Sequence, residues 1–131
     1  MSEFILYYLI IDMNSLLKFI SIAGLIAAMD VPWLMISSTF VASMVQKIQG
    51  KELRLRMAPA FVVYFALAYL ALIPKTTVEA FLLGLCVYAV YDFTNLATLA
   101  NYDWRFAVAD SLWGGILFAV VHTVLSYMKG L

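Results

Sequence analysis

The chain has 131 residues, of which 66% are hydrophobic, 15% aromatic and 12% charged. Soluble domains carry about 25% charged residues, so this composition excludes an ordinary soluble domain and predicts an integral membrane protein. Eight basic residues balance eight acidic ones, which leaves no basic patch for nucleic acid. The lipid bilayer is the one partner that composition implies.

The first predicted element is a short apolar segment. Residues Phe4 to Ile11 are apolar, but they are too few to span a bilayer, which takes about 20 residues, and Asp12 and Asn14 follow them. We therefore expect residues 1–14 to form an interfacial extension, with Ser15 capping the first full helix. Residues 15–131 then form a single transmembrane domain.

Four apolar windows are long enough to cross the hydrocarbon core. They are Ser15 to Ser38, Met57 to Pro74, Thr77 to Leu99, and Phe106 to Met128. Because the connections are short, the sequence predicts an all-α fold in which four transmembrane helices form an antiparallel bundle. Pro32 lies inside the first window and favours a kink there.

Basic residues predict the orientation of these helices. The first loop contains Lys47, Lys51, Arg54 and Arg56, whereas the other connections and the termini carry fewer basic residues. By the positive-inside rule the first and third loops are cytoplasmic and both termini lie outside. The sequence does not identify the membrane.

Three aspartates, Asp30, Asp92 and Asp110, fall within the predicted spans, and we call them the acid layer. Counted at about 1.5 Å per residue, all three lie within roughly 12 Å of the cytoplasmic boundary. Helical spacing places further polar or aromatic residues beside them. These are Trp33, Tyr88, Tyr91, Thr94, Asn95 and Trp113.

The acid layer has a structural interpretation and a functional one. In the structural interpretation, which we favour, the acids accept hydrogen bonds from neighbouring side chains or pair with Arg54 and Arg56 at the mouth of helix two. The functional interpretation is a site for a cation, a proton or a basic headgroup, since intramembrane acids mark ion and proton pathways. A magnesium-dependent reaction is a third alternative, but no dedicated acid motif supports it.

Small residues recur along the fourth helix and predict a surface for close helix packing. They are Ser111, Gly115, Ala119 and Thr123. Gly24 and Ala28 form a shorter version on helix one, and we expect these two surfaces to meet. A homodimer contact is the alternative, because the same physics acts between chains.

Other candidate sites are weak. His122 has no second histidine or cysteine at ligand spacing, so we expect no metal site. No serine has a base at a recognisable spacing and no glycine-rich phosphate loop is present, so we expect no cofactor and no catalysis.

One stretch of sequence resembles a known family. The run Tyr91-Asp92-Phe93-Thr94-Asn95-Leu96-Ala97-Thr98, followed by Trp104 and by Asp110-Ser111-Leu112-Trp113-Gly114, is similar to the small membrane proteins grouped as domain of unknown function 2177. Asp30 and Trp33 fit the first helix of that family. The resemblance implies a four-helix membrane protein without an established activity, and residues before Met13 look like an extension.

The sequence therefore leaves two functions open. The first is a non-catalytic structural or accessory subunit of a membrane assembly, such as a respiratory complex or a membrane-containing virion, with partner subunits or further copies of itself. The second is a small cation or proton transporter or channel that uses the acid layer.

Overall fold

The computed structural model describes residues 2–129, except for the side chains of Tyr8, Ile10 and Ile11. These residues form four α-helices and no strand, as the sequence predicts. The helices are α1 (Glu3–Gln49), α2 (Met57–Ala71), α3 (Thr77–Thr98) and α4 (Trp104–Lys129).

Helix α1 is longer than predicted. It contains 47 residues and runs without interruption through Asp12, Asn14 and Ser15. The expected separation of residues 1–14 from the first helix is therefore wrong for the described part of that segment. Met1 lies outside the described residues. Polar residues are only mildly unfavourable inside a helix, and no Gly or Pro stands at this junction. The N-cap is Ser2, whose hydroxyl accepts from the N–H of Ile5, rather than Ser15.

The other end of α1 also extends beyond the predicted span. Pro32 lies inside the helix without ending it, and the helix ends at Gly50, whose φ of 71° is the left-handed conformation that glycine adopts readily. At about 1.5 Å per residue α1 is roughly 70 Å long, more than twice the thickness of the hydrocarbon core.

Helix α2 is shorter than predicted. It contains 15 residues and ends at Ala71 rather than at Pro74. The N–H groups of Leu72 and Ile73 bond to the carbonyls of Tyr69 and Leu70, three residues earlier, so the chain tightens before the proline. Among the described residues, α1, α3 and α4 are long and apolar enough to cross a membrane, whereas α2 is apolar but shorter.

The helices pack as two pairs that meet at α4. Helices α3 and α4 share the most extensive contact, α1 packs against α2, and α4 also contacts α1 and α2. The buried core takes residues from all four helices: Ile22, Ala23, Ile26, Leu67, Ala68, Ala71, Ala80, Leu117, Phe118 and Val121. Many large apolar side chains remain exposed on the outside, as expected for a surface that faces lipid.

Two ends of the molecule can be defined by these contacts. At the loop end, Asn101 and Asp103 contact Lys47 and Met44 near the end of α1. At the terminal end, residues around Lys18 lie beside the last turns of α4. Helix α1 therefore runs from the terminal end toward the loop end, whereas α4 runs from the loop end toward the terminal end.

The closest helix contact differs from the predicted one. Gly84 of α3 lies against Gly114 of α4, and a Cβ on Gly84 would be 2.7 Å from the Cβ of Phe118. Gly115 faces Phe81 of α3 and not α1.

The small residues of α1 do not pack within the chain. Gly24 and Ala28 are exposed, and a Cβ on Gly24 would meet nothing within 4 Å. The expected contact between these residues and the α4 stripe is therefore wrong. On that stripe Ser111 and Gly115 are buried, Ala119 is half-buried and Thr123 is exposed. The physical reason is that a small-residue pattern marks where a backbone can approach and not which backbone does so.

Candidate functional site

Asp30 of α1 is buried and has two donors from two other helices. The hydroxyl of Tyr64 in α2 donates to Oδ2 at 2.7 Å, and the indole N–H of Trp113 in α4 donates to Oδ1 at 2.8 Å. Both carboxyl oxygens are therefore satisfied by aromatic donors. Asp30 joins three helices through one side chain.

Asp110 of α4 mirrors this arrangement. Its Oδ1 accepts from the indole N–H of Trp33 in α1 at 2.6 Å. On each helix a tryptophan follows the aspartate by three residues, and it donates to the aspartate of the other helix. The two indole rings stack with centroids 5.8 Å apart and planes 18° apart. This reciprocal contact fixes the register of α1 against α4.

Asp92 of α3 is the most deeply buried of the three, with no exposed surface. Its Oδ1 accepts from the hydroxyl of Tyr102 at 2.6 Å. Its Oδ2 is buried without any donor among the described residues. The carboxyl group of Asp110 is close enough to that of Asp92 for the two groups to interact. Because ionised carboxyl oxygens only accept, such a pair forms a hydrogen bond only when one of the two carries a proton.

The remaining predicted members of α3 divide into two groups. Tyr88 and Asn95 are half-buried on the same side as Asp92; the ring of Tyr88 lies against Gly114, and Asn95 is beside the hydroxyl of Tyr102. Tyr91 and Thr94 face outward and are exposed. The helix face that carries Tyr88, Asp92 and Asn95 therefore lies toward α4. Tyr91 and Thr94 lie outside the acid layer.

The two arginines expected beside the acid layer do not reach it. Arg54 and Arg56 are exposed in the non-helical segment before α2. Within the described chain the salt bridge joins Arg105 to Asp103 instead, at 2.7 Å. Of the two options left open by the sequence, the described residues show hydrogen bonds from neighbouring aromatic side chains and not ion pairs with Arg54 or Arg56.

The loop between α3 and α4 covers the site at the loop end. The side chain and backbone N–H groups of Arg105 donate to Asp103 and hold the pKa of that carboxyl at about 2. Burial, together with the hydrogen bond to Asp92, raises the pKa of the Tyr102 hydroxyl, so Tyr102 remains a donor at physiological pH. Tyr102 thus links this loop to Asp92 through its hydroxyl group.

An aromatic column runs beside the acid layer toward the same loop. Trp113 stacks on Trp33, Trp33 on Phe106, and Phe106 on Phe40. The guanidinium of Arg105 lies 5.9 Å from the ring centroid of Phe40, in cation–π range. Among the described residues, aromatic rings and hydrogen-bond donors thus enclose the acids.

Metal-binding geometry is not present in the described residues. Across residues 2–129, no group of three or more His, Cys, Asp or Glu side chains converges closely enough to hold an ion. His122 is half-buried and Cys86 is exposed.

Sequence reasoning missed two residues of the site, Tyr64 and Tyr102. Tyr64 precedes Ala68 by four residues and Ala71 by seven, which places its phenol on the buried face of α2. That spacing could have identified it. Tyr102 lies in a loop, where no periodicity indicates which side chain turns inward.

The fold and the site define a class: an all-helical protein with three helices of membrane-spanning length and apolarity, and with buried acids at their contacts. Residues 15–128 match the model of the family DUF2177, described as a predicted membrane protein, and the chain belongs to this family. No curated protein and no solved structure matches the chain.

Proposed function

We propose that this protein is a multi-pass membrane protein that takes up and releases a proton at the Asp92 and Asp110 pair, as a small proton transporter or channel does. The observation that carries the proposal is the buried Oδ2 of Asp92, which has no donor among the described residues and belongs to a carboxyl group that interacts with the carboxyl of Asp110. A buried acceptor without a partner costs about 1–3 kcal/mol, and a shared proton removes that cost.

The surroundings favour a proton over a metal cation. Hard cations require several oxygen ligands, six or more for calcium. The groups around the acids are indole N–H and phenol O–H donors, which point hydrogen atoms toward the carboxyls. A proton needs only the two facing carboxyl oxygens.

The membrane arrangement is part of the same proposal. In it the four helices cross the bilayer as an antiparallel bundle, with the loops 50–56 and 99–103 in the cytoplasm. The contacts of Lys47 and Met44 with Asn101 and Asp103 support it, because they bring both loops to one end. The proton then enters past Tyr102 from the cytoplasmic side.

A second candidate function is a non-catalytic accessory subunit of a membrane assembly. The observation that favours it is the first four turns of α1, residues 3–17, whose described side chains are all exposed although most are apolar. An apolar helical surface of this length fits lipid or the helix of a partner subunit. In that case the acid layer serves only to join α1, α2 and α4.

Infrared difference spectroscopy of the protein in lipid nanodiscs tests the proton site. We expect the carbonyl stretch of a protonated carboxyl group at neutral pH, and we expect Asp92→Asn and Asp110→Asn each to abolish it. Both variants should fold, because the introduced amide N–H replaces the shared proton as the donor. Asp103→Asn is the matched control and should leave the band unchanged, since Asp103 pairs with Arg105.

Vesicles with a pH gradient test the transport step. The parent protein should dissipate the gradient, and Asp92→Asn should not. A parent protein that shows no protonated carboxyl band contradicts the proton site. A parent that shows the band but transports nothing supports the accessory candidate.

A further inference from the structure

A cleft at the terminal end is lined by residues that do not belong to the acid layer. It has a volume of about 500 Å³ and opens between α1, the end of α2 and the last turns of α4. Its walls are mainly apolar and include Leu25, Leu72 and Leu125. Volumes of 300–1,000 Å³ are typical of ligand sites.

Two lysines from different helices stand at this cleft. Lys18 of α1 and Lys129 of α4 both line it, and both are exposed. Neither forms a salt bridge within the described residues. Two ammonium groups beside an apolar cavity are complementary to a molecule with an anionic head and a hydrocarbon chain.

Water is a poor occupant of the apolar part. An ordered water needs two to four polar partners, and the hydroxyl of Ser21, the other polar group there, already donates to the carbonyl of Leu17 at 2.7 Å. Hydrocarbon fills such a cavity without losing hydrogen bonds.

We propose that the cleft is a binding site for one anionic phospholipid, with an acyl chain between Leu25, Leu72 and Leu125 and the phosphate between Lys18 and Lys129. This inference rests on the membrane location in the proposed function and is independent of the proton site. Basic pockets between helices bind acidic lipid headgroups on the cytoplasmic side of membranes, and we propose the same chemistry here at the terminal end, which the proposed arrangement puts on the opposite side.

Native mass spectrometry of the delipidated full-length protein in detergent tests the site. Phosphatidylglycerol and phosphatidylcholine with identical acyl chains are the probes. We expect one tightly bound phosphatidylglycerol per chain and weaker binding of phosphatidylcholine. At about 1 kcal/mol for each lysine, Lys18→Gln or Lys129→Gln should weaken phosphatidylglycerol binding about fivefold, and the double variant about 30-fold.

Three controls separate the site from general attraction. Lys75→Gln removes a lysine that does not line the cleft, and it should leave the affinity unchanged. Leu25→Trp should fill the apolar part and weaken both lipids, and inorganic phosphate alone should not compete. Equal binding of the two lipids by the parent, an equal loss for Lys75→Gln, or competition by free phosphate would each overturn the inference. A parent protein that binds phosphatidylglycerol as expected but transports no protons would contradict only the proposed function.

Discussion

Asp30 and Asp110 each accept an indole N–H from the opposite helix, whereas Asp92 keeps one oxygen without a donor. The first two acids therefore act as helix connectors. The donor that Asp92 has is Tyr102, in the loop that follows α3. A residue whose hydrogen-bonding capacity exceeds its structural use is the better candidate for exchange with a ligand.

The two indole donors should differ in their contribution to stability. Trp33→Phe removes the indole donor of Asp110, whereas Trp113→Phe leaves Asp30 its second donor, Tyr64. We expect Trp33→Phe to lower the free energy of unfolding by about 1–3 kcal/mol and Trp113→Phe by less, because the Asp30 carboxyl keeps the Tyr64 hydroxyl as a donor whereas the Asp110 carboxyl loses its indole donor. Unfolding by dodecyl sulfate in mixed micelles measures both, and an equal or larger loss for Trp113→Phe would contradict this asymmetry.

For single residues, the sequence predicts which side chains share a helix face, but it does not predict which side chains of other helices they contact. The spacing of Asp30 to Trp33 and of Asp110 to Trp113 places each pair on one helix face. It does not reveal that each indole donates to the acid of the other helix, because that depends on which helices are neighbours. For the same reason, the position of Arg54 and Arg56 in the sequence does not show that aromatic side chains, and not these arginines, contact the acid layer.

Helices α3 and α4 owe their close approach to glycines that face each other. Gly84 and Gly114 leave no room for a Cβ, since a methyl group on either would overlap the backbone of the opposite helix. Gly24 on α1 is in the opposite situation, with open space around it. Gly84 and Gly24 thus form a matched pair for substitution, one in a close contact and one in open space.

We expect Gly84→Ala to destabilise the protein and Gly24→Ala to stabilise it. Overpacking costs about 1–3 kcal/mol, and at Gly84 the neighbour is backbone that cannot move aside cheaply. In an open helical position alanine gains about 0.4–1 kcal/mol by restricting the unfolded chain. Thermal unfolding in one detergent compares the two variants. A loss of stability in Gly24→Ala would indicate that a second chain or a bound molecule covers that face.

Element boundaries were predictable where capping residues mark them. Thr76 accepts from the N–H of Glu79, and Glu79 accepts from the N–H of Lys75, so α3 begins where the sequence places it. The start of α1 was not predictable in the same way. Asp12 and Asn14 interrupt the hydropathy of the segment without breaking its backbone hydrogen bonds.

On the scale of the whole molecule, α2 decides the topology. Its 15 helical residues cover about 22 Å, less than the roughly 30 Å of a hydrocarbon core. Leu53 and Leu55 before the helix and Leu72 and Ile73 after it lengthen the apolar stretch. In the proposed arrangement, local thinning of the bilayer would accommodate the small remaining mismatch.

Labelling of single cysteines tests whether α2 crosses the membrane. In a Cys86→Ser background, Gln49→Cys and Thr77→Cys should react with an impermeant reagent from opposite sides, with Gln49→Cys reached from the cytoplasm. Both positions are exposed. Reaction of both from one side would mean that α2 does not cross and that the chain has three spans.

The stacked indoles of Trp33 and Trp113 provide an intrinsic optical reporter. The chain contains three tryptophans, and the third, Trp104, is exposed in the first turn of α4. Nearly parallel rings at 5.8 Å are close enough for their electronic transitions to couple, and each indole N–H is bonded to a carboxyl of the acid layer. In a Trp104→Phe background, near-ultraviolet circular dichroism therefore follows the separation of α1 and α4 without an added dye.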